Sequence, residues 1–203
     1  MLVTTAAVLI AYLFGSISSA IIVCKLMGLP DPRTHGSRNP GATNVLRIGG
    51  KKAAAITMFG DMLKGFIPVL AAIWLQLDIN TTALVMFAAF IGHLYPLYFR
   101  FEGGKGVATF IGCLLALDWQ AGCAFLLTWI VVAAIFRYAS LASLTAAIIA
   151  PFYVWFFTDN TIYYITTLMM SVILVYRHSS NIQKLAAGKE DKISSYPRKR
   201  ESP

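Results

Sequence analysis

Residues 82–117 read TALVMFAAFIGHLYPLYFRFEGGKGVATFIGCLLAL: two apolar stretches, Thr82 to Phe99 and Val107 to Leu117, with Gly103-Gly104-Lys105-Gly106 between them. The stretches predict helices that enter a bilayer. The loop at their rim leaves backbone N–H groups uncovered beside a cation, and such an arrangement holds a phosphate. A nucleotide-binding P-loop needs glycine where Phe99 stands and Ser or Thr where Gly106 follows the lysine, which disfavours a nucleoside triphosphatase.

The surrounding chain supports a membrane reading. It is 58% hydrophobic and 13% charged, with mean hydropathy +0.68, where a soluble domain has about half and about a quarter. Apolar runs lie at about 3–27, 53–75, 81–99, 107–117, 121–136, 139–157 and 161–176, and a crossing helix needs ~20 residues. The expected fold is therefore an all-α integral membrane domain of seven transmembrane helices over residues 1–193, followed by a disordered basic tail at 194–203. The 107–117 run is short, so five or six full spans stay open. No basic segment precedes the first run and Lys25 follows it, as for a first transmembrane helix and not a cleaved signal.

Charge orders these spans. Turns around Asp78, Asp118 and Asp159 carry an acid and no Lys or Arg, whereas Arg33, Arg38, Arg47, Lys51, Lys52, Arg100, Lys105, Arg137 and Arg177 fall at the alternate ends. The positive-inside bias then places the N-terminus outside and the C-terminus in the cytosol. The excess of 17 basic over 9 acidic residues follows from orientation and anionic lipid contact; nucleic-acid binding is not expected. Cys24, Cys113 and Cys123 lie in or near apolar spans with spacing that suits neither a metal site nor a disulfide framework, and they read as small hydrophobes. No cofactor or metal is expected.

Polar clusters collect at the cytosolic ends. The segment from His35 to Asn44, with Ser37, Arg38, Asn39 and a turn at Asn39-Pro40-Gly41, reads as one donor-rich loop continuing to Arg47 and Gly49-Gly50. Arginine suits bidentate phosphate recognition. The second cluster runs from His93 through the glycine loop to Thr109, and His93 is either a ligand group or a histidine bonded to backbone. The third is Arg177-His178-Ser-Ser-Asn181-Ile182, in which a helix would put His178 and Asn181 on one side and Arg177 reads as an ordinary basic anchor. Asp61 and Lys64 inside the second span either pair structurally or lend Lys64 to an anion site. Ser140 and Ser143 add hydroxyls at the same level. Together they describe a cationic, acid-poor pocket bordered by lipid, and its natural ligand is a phosphate attached to something that lies in the bilayer.

Ser-Arg-Asn-Pro-Gly-Ala-Thr-Asn-Val with Arg47, His-x-x-Pro…Phe-x-Gly-Gly-Lys-Gly-Val-Ala-Thr, and Arg-His-x-x-Asn-Ile…Gly-x-Glu resemble the three motifs of the bacterial acyl-phosphate:glycerol-3-phosphate acyltransferases, in order and over about residues 3 to 193. The resemblance implies an inner-membrane enzyme of phospholipid biosynthesis that moves an acyl group from acyl phosphate to the 1-hydroxyl of glycerol 3-phosphate. The products are lysophosphatidic acid and inorganic phosphate. It also implies a functional link to an enzyme that makes acyl phosphate. Carried over by position, Ser37, Arg47, Lys105, His178 and Asn181 are the catalytic candidates. Gly103, Gly104, Gly106, Asn39, Asn44, Lys64, His93, Ser140 and Ser143 are candidates for binding substrate and phosphate. Glu190 matches a glutamate held to be structural, and Glu102 stands where a basic residue is common.

No His-x-x-x-x-Asp dyad occurs, because Pro40, Tyr98 and Gln183 follow the three histidines at that spacing, and there is no Gly-x-Ser-x-Gly elbow. Direct attack by the glycerol hydroxyl is expected, with His178 or a donor phosphate oxygen taking the proton and Ser37 orienting a substrate. A transporter for a phosphorylated metabolite needs polar groups at both ends of its path, and a lipid-binding assembly factor leaves the His, Asn and Ser placements unexplained.

Overall fold

The computed structural model describes residues 1–193; the expectation of a disordered tail at 194–203 falls outside them. Among the described residues all regular structure is helical: α1 (Leu2–Gly15), α2 (Ser19–Leu26), α3 (Ala42–Trp74), α4 (Ile79–Leu94), a 3₁₀ turn at Leu97–Phe99, α5 (Val107–Leu117), α6 (Trp119–Phe136), α7 (Ala139–Thr158), α8 (Thr161–Arg177) and α9 (Ser179–Ala186). Five segments are long and apolar enough to cross a membrane, namely Leu2–Leu26, Ala42–Trp74, Ile79–Phe99, Trp119–Phe136 and Ala139–Thr158, while α5 and α8 are shorter apolar helices. The outer surface is correspondingly greasy, with Leu9, Trp74, Leu127, Phe156 and Val172 exposed. This is a membrane protein.

Two elements differ from the sequence reading. The first apolar run is not one helix but breaks between Gly15 and Ser19. Gly15 lies so close to the Ala89 carbonyl of α4, and Gly92 to the Tyr12 carbonyl of α1, that a β-carbon at either would collide with backbone. Small residues of this kind let membrane helices approach, since lipid is as apolar as a leucine and gives little drive of its own. The carbonyl freed at the break must find a donor, and Lys64 Nζ bonds Ile17 O at 2.7 Å. Lys64 therefore ties α3 to the broken first element.

The second difference is α3, which starts at Ala42 where a start near residue 53 is expected. Gly50, at φ 77°, breaks it into two helical pieces, a conformation glycine adopts without strain. The donor-rich loop thus ends at Gly41 and Arg47 rides on a helix.

α5 is the shorter of the two apolar helices outside the five long spans, eleven residues, hence ~16 Å against a hydrocarbon core of ~30 Å. It packs tightly on α3 because Gly65 faces the Thr109 carbonyl and Gly112 the Met62 carbonyl without side chains between. Phe110 continues the core into Phe90 and Phe125, with ring centroids 5.7 and 5.4 Å away. The N-termini of α4, α6 and α8 lie at one end of the bundle, capped by Asp78, Asp118 and Asn160, which accept from Thr81, Ala121, and Ile162 and Tyr163 backbone N–H groups. Asp78 and Asp118 are thus helix caps, and in the third turn Asn160 takes that part beside Asp159. The opposite end carries the site.

Candidate active site

The C-terminal ends of α4, α6 and α8 and the N-terminal ends of α3, α5 and α7 surround a cavity of ≈ 480 Å³. Because α5 is too short to fill the bundle, the space above its first turn is left open. Ser37, Asn39, Asn44, Arg47, His93, Lys105, Ser140, Ser143, His178 and Asn181 all line it. Residues up to 144 positions apart in sequence thus share one wall. Lys64, Gly103, Gly104 and Gly106 are not brought to that wall.

The polar wall is wired together. Lys105 Nζ donates to Asn181 Oδ1, Asn181 Nδ2 donates to Glu190 Oε1 at 2.7 Å, and Ser140 Oγ donates to the same oxygen at 2.7 Å. Glu190 is the acceptor that fixes which way Asn181 points, so Asn181 presents its oxygen to the lysine. Burial pushes the Lys105 ammonium down to about 8, against the opposing pull of Glu190. His178, between α8 and α9, bonds the Leu174 carbonyl through Nδ1 at 2.8 Å. In the neutral ring this makes Nδ1 the donor and leaves Nε2 as an acceptor. Burial, partly offset by that carbonyl, holds its pKa near 4, so it is uncharged at neutral pH.

The glycine loop serves this wall from behind. Gly104 N–H donates to His93 O at 3.2 Å, and β-carbons at Gly103 and Gly104 would strike the His93 and Leu94 carbonyls and the His93 ring. Gly106, at φ 90°, precedes α5. The glycines therefore let the chain lie flat on the end of α4 while Lys105 alone reaches the cavity. Arg177 clamps this arrangement from α8, donating to Gly103 O and Gly104 O at 3.1 Å each with its guanidinium 5.4 Å from the Tyr95 ring centre. Reading Arg177 as a surface anchor missed this. The signal was its place beside His178 in the third motif.

In the first loop, Asn44 is spent on the backbone, its amide donating to Pro32 O and His35 O at 2.9 and 3.0 Å and its oxygen accepting from Ser37 N–H at 2.8 Å. It shapes the loop that presents Ser37. Arg47 pairs with Asp191 at 3.7 Å. Ser143 Oγ donates to Ala139 O at 2.8 Å and accepts from Trp129 Nε1 at 3.0 Å, so its hydroxyl orients Trp129. Glu102 lies away from the cavity, paired with Arg33 at 3.2 Å.

The rest of the wall is apolar: Met58 of α3, Val107 and Ile111 of α5, and Leu126, Trp129 and Ile130 of α6. Met58 and Ile130 are each about half exposed, at 53% and 50%, so the apolar part of the cavity reaches the outer surface at α3 and α6. The site can hold a phosphate at one pole and a hydrocarbon chain at the other.

Known proteins share this architecture. The family model "Glycerol-3-phosphate acyltransferase" matches residues 5–188. A glycerol-3-phosphate acyltransferase of Methylococcus capsulatus is 54% identical over 91% of this chain and 93% of its own, and one of Ruthia magnifica is 50% identical over 92% and 94%. Two crystal structures of PlsY (YgiH), an integral membrane glycerol 3-phosphate acyltransferase, are similar to this one. The glycerol 3-phosphate form has TM-score 0.90 and 37% identity over 95% of this chain and 96% of that one. The lysophosphatidic acid form has TM-score 0.87 and 36% identity over 93% and 94%. With the match running through every helix that builds the cavity, the chain belongs to the glycerol-3-phosphate acyltransferase family.

Proposed function

We propose that the protein transfers an acyl group from acyl phosphate to the 1-hydroxyl of sn-glycerol 3-phosphate, releasing lysophosphatidic acid and inorganic phosphate. The observation that carries this reading is the two-part cavity, in which a cationic wall with Lys105 and Arg47 adjoins an apolar slot that reaches the outer surface. Both substrates are phosphorylated, and one brings a fatty chain that enters from the bilayer.

Catalysis by Ser37, Arg47, Lys105, His178 and Asn181 is mostly electrostatic and positional. Lys105 and Arg47 neutralise the phosphates, and Ser37, Asn39 and Ser140 add neutral donors. The glycerol hydroxyl attacks the acyl carbonyl, the C–O bond to phosphate breaks, and the proton lost by the hydroxyl ends on the departing phosphate. His178 Nε2 accepts the hydroxyl hydrogen bond and aims it. A histidine held near 4 is too weak a base to keep that proton, so the donor phosphate is the final acceptor. No acyl-enzyme forms at Ser37.

The same reading gives seven crossings, with the α1–α2 pair counted as one and α5 and α8 included, the N-terminus outside and the cavity facing the cytosol of the inner membrane. The clustering of cations at the cavity end supports this orientation. In a cysteine-free background, Asp159→Cys should react with an impermeant maleimide in intact cells and Lys189→Cys only after permeabilisation; the reverse pattern would overturn the topology.

Purified protein given glycerol 3-phosphate with acyl phosphate, acyl-CoA or acyl-carrier protein in turn should release phosphate and form lysophosphatidic acid with the first donor only. Lys105→Ala should abolish it. Turnover with acyl-CoA alone, or a trapped acyl-Ser37, refutes the scheme.

A further inference from the structure

An anion-binding cavity with a carboxylate in its deep wall needs an account of that carboxylate. Asp61 of α3 lines the cavity and is 2% exposed. Lys64 Nζ meets its Oδ1 at 3.1 Å and His93 Nδ1 faces the same oxygen at 3.9 Å. Both contacts are ion-pair approaches: neither the buried Oδ1 nor the buried His93 Nδ1 has a hydrogen-bond partner among the described residues. Buried polar groups are nearly always satisfied, so Oδ1 and the imidazole mark a place where something else supplies the hydrogen bonds. A phosphate oxygen cannot, because it repels a carboxylate; the partner is a neutral donor. The site is coupled to the phosphate wall, since the His93 ring abuts Gly104 and the His93 carbonyl accepts the Gly104 N–H at 3.2 Å, next to Lys105.

We infer that Asp61, seconded by His93, is the specificity determinant that receives the secondary hydroxyl of the glycerol phosphate acceptor, an inference that rests on the acyl transfer proposed above. The primary hydroxyl is the less suitable partner. It attacks a carbonyl whose oxygen gains negative charge, and a carboxylate beside that oxygen opposes the transition state. The secondary hydroxyl stays neutral throughout and donates to Asp61 in ground and transition state alike. Lys64 braces the carboxylate from behind while holding Ile17 O, so the acceptor is positioned before substrate arrives.

The probe is 3-hydroxypropyl phosphate, which keeps the phosphate and the primary hydroxyl and lacks the secondary one. Wild-type protein should prefer glycerol 3-phosphate over it by at least about tenfold in kcat/KM, as for loss of a hydrogen bond to a buried charge. Asp61→Leu with Lys64→Met removes both charges together, the substitution buried pairs tolerate best, and should bring that ratio to within about twofold of unity while the KM for acyl phosphate holds. A wild-type ratio within twofold overturns the inference without any variant, so a misfolded double variant leaves it decidable. A folded double variant that loses rate equally with both acceptors also overturns it, leaving the pair structural. If wild-type protein acylates neither acceptor, the proposed reaction itself has failed.

Discussion

Raising pH should switch off Lys105 before any other group of the cavity. Its ammonium is held near 8 chiefly by burial, so the free enzyme loses the charge as pH rises through 8. About half the molecules carry it at pH 8 and about one in eleven at pH 9. Since kcat/KM reports the free enzyme, its value for glycerol 3-phosphate should fall about twofold by pH 8 and about tenfold by pH 9, then tenfold per further unit. A bound phosphate favours the ammonium, so kcat at saturating substrate should hold to higher pH. Initial rates of phosphate release, corrected for spontaneous hydrolysis of the donor, give both profiles. Lys105→Arg supplies the control: a guanidinium stays charged across this range, and whatever its absolute activity, its alkaline limb should vanish. A flat wild-type kcat/KM to pH 9.5, or the same limb in the arginine variant, refutes the assignment of that limb to Lys105.

Gly104→Ala drives a methyl into the His93 ring and to 2.9 Å from Pro40 O, and should cost about a hundredfold in kcat/KM by displacing Lys105. Gly188→Ala, in open space at φ 65°, should cost only about 1 kcal/mol of strain and leave rates near normal. Glu190→Gln keeps an acceptor for Ser140 and Asn181 and should retain activity within about threefold, whereas Glu190→Ala leaves Asn181 free to turn and should lower kcat by at least about thirtyfold. Gly92→Val should separate α1 from α4 and lower the melting temperature in detergent by at least about 5 °C, a change a size-exclusion profile would echo as aggregation.

What the sequence revealed follows from what each residue must do. Apolar runs are a property of whole segments, so the all-helical membrane fold reads easily from composition, with five of the expected spans long enough to cross. The convergence of Arg47, Lys105, His178 and Asn181 on one cavity was legible because each stands at a helix end on the same side. The helix breaks were not. Gly15 ends α1 against the Ala89 carbonyl, and Lys64 serves the break that follows from 47 residues away; neither partner is visible locally. The glycine loop was legible in part for a related reason. Its motif suggests bare N–H groups, and the closeness of Gly103 and Gly104 to His93 and Leu94 is not visible locally. Asp61 was hidden by its pairing with Lys64, which at i and i+3 looks complete on paper.

The brevity of α5 has a kinetic meaning. In the proposed orientation a helix that stops halfway sets the reaction centre below the membrane surface and open on one flank, so the two substrates of the proposed reaction arrive through spaces of different dimension. Glycerol 3-phosphate is drawn from a volume, and the fatty donor from a plane, where only its mole fraction among the lipids sets how often it meets the slot. Diluting the donor with inert lipid at constant bulk concentration should slow turnover, and adding water should not.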